Sequence, residues 1–521
     1  MVFLREKSDF LRLWFEPLPP VDVFYNVNPV VRIIGSYIMA LSCPRNALRM
    51  AFWGLMWFVS MSVSGLYAQL RVDTIRVEGN RVTEPWVVLR ELTFEPGDTL
   101  ANEKLTEVLE RNRLNIANLN IFSQVNLIPE VIEGRLSLKI QVKERFRLGG
   151  SVLLTLEERN SYDMLVALQS RDFSRLVYGE QFTWRNITGK GEELQWDILW
   201  GFSRRVHAEF RKPLVGRNPA VDLQIGVRYD WQPEIIVGTS EGRVHWEGLH
   251  ERPLQQRYGG YVSLQNRQGI YHQVEVQLGY DSYQLDDSLY TLDLEGRPIS
   301  YLTNNSGREH LNWVMLRMAV DKRDWNSYPL RGYKGQIMGR MVGGPLSTTR
   351  FVKLGGSWAH HIPMGSRFYF AYGFTSILTL GDSLPFFEKS QIGIRRPEFP
   401  GISNEVRGYQ PYVIDGTWLS LGKTELKYAV IPYRMVSMDW LGIPQVGSQA
   451  LALYLTAFAD VGYVRDDSFS NYDQWLKNQA LYGYGVGVNL IVMYDLLWRV
   501  EYARNHLGQG GIYFHGTLPI K

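Results

Sequence analysis

This chain of 521 residues has one cysteine, a small net charge and few long apolar runs. Cys43 is the single cysteine, so no disulfide can form within the chain and the fold does not rely on one. The formal net charge is only +3, with no basic block and no acidic tail, which argues against a nucleic-acid partner. After residue 68, no segment contains the roughly 18 consecutive apolar residues that a membrane-spanning helix needs.

The strongest apolar run covers residues 51–63 and follows two basic residues, Arg45 and Arg49. A basic start, a short apolar centre and small residues at the end are typical of a secretory signal peptide. We therefore predict a signal peptide over residues 50–68, cleaved after Ala68. A helix buried in a globular domain is the alternative.

If residues 50–68 are a signal peptide, residues 1–49 need an explanation. We expect Met39 or Met50 to be the true start, so that residues 1–49 are an upstream segment with a mis-assigned start. A lipid anchor at Cys43 is a weaker alternative, because the better apolar segment follows it.

Aromatic residues and glycine are plentiful. Aromatic residues make up 13% of the chain, including 29 Tyr and 16 Trp, and there are 48 Gly. Membrane β-barrels use aromatic girdles at both interfaces, so this composition suits them better than it suits a soluble enzyme. An exported chain of this kind is either a secreted β-protein or an outer-membrane barrel.

Residues 69–145 show a mixed pattern of short strands and helices. Alternating apolar residues predict strands, and apolar residues at spacings of three and four predict helices. Thr83 and Pro85 mark a helix start. The predicted order is strand, helix, helix, strand, strand, with the first strand at 70–78, the second helix at 102–115 and the last strands at 121–128 and 136–142. We therefore predict a small α+β domain here.

Residues 146–521 alternate between apolar and polar residues almost throughout. Long polar segments interrupt the pattern at 283–309, 381–412 and 466–478, whereas the other connections are short. Short turns at one end and long loops at the other are typical of a membrane barrel. At about 23 residues per strand and connection, the span holds about 16 antiparallel strands. The predicted fold class is thus mostly β: an N-terminal α+β domain and a transmembrane β-barrel with a long inserted loop at 381–412.

No catalytic pattern stands out. His360 and His361 are adjacent, and on a strand they point to opposite faces, so they cannot share a metal ion. The sequence contains no nucleophile elbow, no phosphate-binding loop and no zinc-protease motif. We predict that the protein is not an enzyme, with no catalytic residue, no metal ligand and no cofactor.

The long loop contains one candidate functional residue, Arg407, next to Gly408. In a closed barrel this loop can fold inward, and the guanidinium fork can then pair with a carboxylate on the inner wall. The best partner by pattern is Asp460, within residues 458–462. An ordinary Arg-Gly turn in solvent is the alternative.

Residues 69–145 closely resemble a POTRA (polypeptide-transport-associated) domain. The motifs that carry the resemblance are Val-Glu-Gly-Asn at 77–80, Gly-Asp at 97–98, Leu-x-Ile-Phe-Ser-x-Val at 119–125 and Val-Lys-Glu-Arg at 142–145. The resemblance implies a periplasmic domain whose exposed strand edge receives extended polypeptides by strand addition. A spacer or plug domain is the alternative.

Several motifs after residue 145 resemble the barrel of the BamA/TamA outer-membrane protein assembly superfamily, also described as the bacterial surface antigen barrel. They lie at 186–194, 321–332, 406–409, 458–462, 483–487 and 498–503. Each motif is weak alone, but together they occur in the family's order behind a POTRA-like unit. The chain has room for one POTRA domain, so it resembles a single-POTRA member and not the central assembly subunit.

The resemblance implies that Arg407 and Asp460 form a lock that holds the long loop, the family's loop six, inside the barrel. The other implied members of this lock are Gly408 as hinge, Tyr409 as wall contact, and Phe458 and Gly462 as the receiving surface.

The resemblance also implies a function: an outer-membrane β-barrel that inserts, assembles or translocates other polypeptides across or into the bacterial outer membrane. The seam between the first strand, near 148–156, and the last, near 511–518, would open for an incoming strand. The implied partners are outer-membrane lipid, unfolded client polypeptides bound by strand addition, and accessory periplasmic proteins or lipoproteins. A passive pore or surface structural protein, and a dedicated exporter of one partner protein, are the alternatives.

Overall fold

The computed structural model describes residues 69–157, 161–214, 221–240, 243–248, 252–287, 307–381, 384–393, 404–437, 448–466, 475–492 and 496–517. The predicted upstream segment (1–49) and signal peptide (50–68) lie outside the described residues. None of the helices in the described ranges is long and apolar enough to cross a membrane.

The N-terminal domain is a four-stranded sheet with two helices. The elements are β1 (Gln69–Glu78), α1 (Pro85–Leu89), β2 (Thr99–Ala101), α2 (Leu105–Ala117), β3 (Phe122–Ile132) and β4 (Arg135–Glu144). The strands have the order β2-β1-β4-β3, in which β1 and β4 run parallel and the other neighbours run antiparallel. The short strand β2 was not predicted.

The helix α2 buries one face, as its spacing predicts. Leu109, Asn112 and Ile116 are its buried residues and recur every three or four positions. Ile116 packs in a core with strand residues such as Leu136 and Ile140. The buried amide of Asn112 is satisfied, because its oxygen accepts the backbone N–H of Thr93 at 2.7 Å and its nitrogen donates to the Val108 carbonyl at 2.7 Å.

The second part of the chain forms a 16-stranded antiparallel sheet, which confirms the predicted strand number and class. Neighbouring strands are consecutive in sequence, except where short extra strands of the loops intervene. The sixteen strands are β5 (Leu148–Leu156), β6 (Leu176–Arg185), β7 (Glu193–Gly201), β8 (Arg204–Leu214), β9 (Val221–Gln232), β12 (Gln255–Gln268), β13 (His272–Leu285), β14 (Arg308–Asp321), β15 (Gly332–Val342), β16 (Phe351–Pro363), β17 (Phe368–Leu380), β20 (Trp418–Ser437), β21 (Ser448–Arg465), β22 (Ala480–Val492), β23 (Leu496–Asn505) and β24 (Gly510–Thr517).

The loops carry a few further elements. A helix, α3 (Ser161–Ser170), follows β5, and the strands β10 (Glu234–Ser240) and β11 (Arg243–Gly248) form a hairpin between β9 and β12. Loop six joins β17 to β20, and contains the paired short strands β18 (Ser390–Ile392) and β19 (Ile414–Gly416).

The two faces of the large sheet differ in polarity. Val262 and Leu278 are paired on β12 and β13, and are 46% and 57% exposed on the outer face. Ser263, one residue along, is fully buried on the inner face and donates a hydrogen bond to Glu275 at 2.8 Å. An apolar outer face and a polar inner face are what a membrane barrel requires.

The first and last strands of the sheet are its two ends. Among the described strand residues, no backbone ladder joins β5 to β24. Helix α3 packs against β24. On β5, the side chain of Val152 is 88% exposed. The described sheet therefore has a seam at which β5 has a strand neighbour on one edge only.

The N-terminal domain contacts the large sheet at the turns that join β6 to β7 and β12 to β13. Arg267, at the end of β12, makes two hydrogen bonds of 2.8 and 2.7 Å to the carboxylate of Glu91. Asn186, after β6, donates to the Thr83 hydroxyl at 2.8 Å. Glu91 is only 2% exposed, so this ion pair is largely shielded from water.

Candidate functional site

Arg407 lies on loop six inside the barrel and is paired with Asp460 on β21. Its Nε and Nη2 donate to the two carboxylate oxygens of Asp460 at 2.8 and 2.6 Å. The backbone N–H of Arg407 also donates to Asp460 Oδ2, at 3.1 Å. This is the fork-to-carboxylate geometry for which guanidinium is suited. The structure therefore brings together the two residues that the sequence singled out.

Two further carboxylates surround the same guanidinium and were not predicted. Nη1 of Arg407 donates to Glu425 on β20 at 3.0 Å and to Glu501 on β23 at 3.4 Å. The aromatic ring of Phe458 lies under the guanidinium, with 3.7 Å from its centroid to the guanidinium carbon. Strand alternation places these acids on the inner face, but the register that aligns them with Arg407 is not readable from sequence.

The acidic surroundings keep Arg407 positively charged although it is only 7% exposed. Burial on its own would lower the pKa of Arg407. The hydrogen bonds and negative charge of Asp460, with the charge of Glu425, outweigh burial and raise this pKa. A permanently charged group in a buried site depends on its counter-charges, so removing them would leave an unpaired cation.

Glycines in the wall make room for the tip of loop six. A Cβ added to Gly483 on β22 would lie 1.9 Å from the carbonyl oxygen of Arg407, and one added to Gly462 would lie 2.7 Å from Val406 Cγ2. Gly408 has a φ of +93°, which favours glycine. Gly408 and Gly462 were predicted members of the lock, whereas Gly483 was noted only as part of a strand motif.

The tip of loop six also binds the turn between β23 and β24. Tyr409 is fully buried, and its hydroxyl is hydrogen-bonded to Nδ1 of His506. The carbonyl oxygen of Gly408 accepts a hydrogen bond from Asn505 Nδ2 at 3.0 Å. The Tyr412 hydroxyl donates a hydrogen bond to Oε1 of Gln509, in the same turn, at 2.6 Å. Loop six is thereby attached to the hairpin that contains the last strand.

A second attachment of loop six was missed entirely. Glu388, upstream of β18, pairs with Arg340 on β15 at 3.1 Å and with Lys353 on β16 at 3.0 Å. Burial would raise the pKa of Glu388, but these two cations outweigh burial and lower it to about 2. The two attachments hold loop six to separate parts of the wall.

A third attachment joins loop six to the segment before β22. Lys477 pairs with Asp415 at 3.4 Å and with Asp466 at 3.1 Å, and Lys389 pairs with the same two acids at 3.5 and 3.4 Å. Asp415 also accepts a hydrogen bond from Thr239 of the β10–β11 hairpin. Loop six is therefore bound along its described length and not only at Arg407.

The sequence matches two family models. One is the Omp85 superfamily domain, over residues 186–503, which is more than half of the chain. The chain belongs to the Omp85 superfamily. The other is the POTRA model, described as the surface antigen variable number repeat, over residues 70–145. These matches confirm the resemblance that the sequence motifs indicated. No curated protein sequence matches the chain.

Three solved structures illustrate what the chain is similar to. BamA from Haemophilus ducreyi lacking POTRA domains 1-3 is 15% identical, with a TM-score of 0.49 over 86% of this chain and 84% of that one. CdiB from Escherichia coli is 13% identical, with a TM-score of 0.49 over 86% and 76%. CdiB from Acinetobacter baumannii is 12% identical, with a TM-score of 0.45 over 86% and 73%.

All the predicted lock residues lie inside the range that matches the Omp85 domain, and the structure places them in one cluster. Arg407 and Asp460 are bonded, and the other members surround them: Gly408, Tyr409, Phe458 and Gly462. The strands on either side of the seam, β5 and β24, lie outside that matched range. That this cluster locks the loop in the working protein stays a prediction.

Proposed function

We propose that this Omp85 protein is a barrel of the bacterial outer membrane that inserts, assembles or translocates other polypeptides, with its POTRA domain in the periplasm. One observation carries the proposal: the sheet has an apolar outer face, yet β5 and β24 are not paired with each other among the described residues. A sheet edge in lipid leaves backbone N–H and C=O groups without partners, each at a cost of several kcal/mol. An extended client strand can supply those partners.

Loop six holds the β24 side of the seam in place. Its tip holds the turn before β24 through Tyr409 and Gly408, while Arg407 fastens the same tip to the inner wall. Breaking a buried ion pair from one side costs about 3–5 kcal/mol, so this attachment is hard to disrupt. We infer that loop six keeps β24 in place while a strand is added at the seam.

The POTRA domain offers a second edge of the same kind. Strand β3 ends the order β2-β1-β4-β3, and its apolar side chains Ile128 and Ile132 are 44% and 60% exposed. An edge with exposed apolar side chains suits strand addition by an unfolded client in the periplasm. Accessory periplasmic proteins or lipoproteins would bind such edges in the same way. The proposed activity needs neither catalysis nor a cofactor.

The attachments of loop six make a passive pore the weaker proposal, because a pore needs an open lumen.

Depletion of the protein in its native bacterium, followed by quantitative proteomics of the outer membrane and the medium, tests the proposed function. Loss of several outer-membrane barrels supports assembly, and loss of one secreted protein supports dedicated export. An unchanged protein inventory with altered solute permeability would instead support the pore.

A further inference from the structure

Glu180 is the only carboxylate on the outward face of the 16-stranded sheet among its described strand residues. It lies in the middle of β6, on the same face as Tyr178 and Phe182, and is exposed. The basic side chains of this face lie near strand ends, as at Arg204 and Arg504. A charge is tolerated near the interfaces of a membrane barrel and disfavoured between them. Glu180 therefore calls for a partner that is not lipid.

Aromatic side chains lie on both sides of Glu180 on the outward face of the β6–β7 hairpin. On one side, Tyr178 pairs with Trp200, and both are about half exposed. On the other side, Phe182 stacks on Trp196 with 4.1 Å between ring centroids. Glu180 lies between these two aromatic levels, two residues from each, and is paired with Ile198 across the ladder. Its carboxylate is therefore surrounded by apolar side chains on the outward face.

Glu180 is one strand away from the uncovered edge. Val152 on β5 lies directly opposite it in the ladder between β5 and β6. The far edge of β5 has no strand neighbour among the described residues, and helix α3 packs against β24 instead. A strand added to β5 would place one outward side chain in the same row as Val152 and Glu180. That side chain would be two strand spacings from Glu180, or about 9.6 Å.

We propose that the β5 edge recognises an extended client segment that carries an outward-facing lysine or arginine opposite Val152. This inference rests on the proposed function and specifies its substrate. A lysine or arginine side chain and the Glu180 carboxylate can together span two strand spacings over the small Val152. The pair then neutralises two charges that would each be disfavoured on a lipid-facing surface.

Disulfide trapping with two synthetic peptides tests this proposal. The peptides are ten residues long, alternate between apolar and polar residues, and differ only in a central outward lysine or glutamate; each has one cysteine two positions away. The full-length protein carries Leu154→Cys on β5 in a Cys43→Ser background and is embedded in lipid vesicles. We expect the lysine peptide to be trapped about fivefold more than the glutamate peptide at low salt. E180Q should abolish this preference, and E180K should reverse it.

Glu193→Gln is the matched control. Glu193 lies on the same hairpin but on the opposite face, so E193Q should keep the lysine preference. An equal lysine preference in E180Q, indifference to peptide charge, or no trapping at residue 154 would each overturn the proposal. If E180K does not fold, as judged by heat-modifiable gel mobility, E180Q decides. Depletion that changes no client would contradict the proposed function instead, whatever the peptides show.

Discussion

Gly483 leaves open the space on the barrel wall that the carbonyl oxygen of Arg407 occupies. A Cβ at this position would lie 1.9 Å from that oxygen, well inside van der Waals contact. The lock on loop six therefore depends on a missing side chain as well as on an ion pair.

Replacing Gly483 with alanine should loosen loop six. The added methyl group must push the backbone of Arg407 away from the wall, and overpacking of this kind costs about 1–3 kcal/mol. We expect G483A to expose loop six to added protease and to lower the temperature of heat-modifiable unfolding. Gly339→Ala is the control, because its Cβ would meet only Leu354 Cδ2, at 3.5 Å. Equal behaviour of the two variants would contradict the fitted contact.

Replacing Arg407 should lower the stability of the barrel, and the loss should be larger when more of the contacts of Arg407 with its carboxylate partners are removed. R407A leaves Asp460, Glu425 and Glu501 without their shared cation, for which we expect a loss of about 3–5 kcal/mol. R407K keeps the charge but loses the two-pronged contact, so its effect should be smaller. Thermal unfolding of the purified barrel measures both. A normal unfolding temperature and full growth complementation by R407A would rule out the lock.

Acid should release the upstream attachment of loop six. The pKa of Glu388 falls from 4.5 to about 2 on folding, so its ion pairs stabilise the folded state fully above pH 4.5. This stabilisation is lost as the pH falls through about 2. We expect unfolding temperature to drop over that interval in the native protein and to change less in E388Q. A parallel drop in E388Q would show that other carboxylates dominate.

The contact between the POTRA domain and the barrel should depend on Glu91 and Arg267. E91R places two cations together and should free the domain, which limited proteolysis of the connection near residues 145–147 would report as faster cleavage. The double variant E91R/R267E restores opposite charges and should slow cleavage again. Equal cleavage rates in the single and double variants would show that this ion pair does not hold the domain.

Alternation along the sequence was enough to predict that residues 146–521 are mostly β, because each strand separates an apolar face from a polar one. The number of strands followed from the length of that span, at about 23 residues per strand and connection. The Arg407–Asp460 pair was predictable because both residues lie in short local motifs. Strand β2 was missed because three residues are too few to show alternation.

The rest of the site depends on register, which a single sequence does not reveal. Glu425, Glu501 and Glu388 are three of 53 acidic residues. Nothing local distinguishes Glu425 and Glu388 from the others, and Glu501 was noted only as part of the strand motif at 498–503. Only the folded sheet aligns the first two with Arg407 and the third with Arg340. Glu180 was not predicted as a functional residue, because an acidic residue within an alternating strand is expected on the polar inner face.

Photo-crosslinking in living cells shows whether the β5 edge receives client polypeptides. A photoreactive amino acid replaces Val152 on that edge. The control position is Val262, which lies on the same outer face of a strand paired on both sides. We expect adducts with newly made client chains at position 152 and none at position 262. Adducts at neither position, or equally at both, would show that client chains do not bind at the β5 edge.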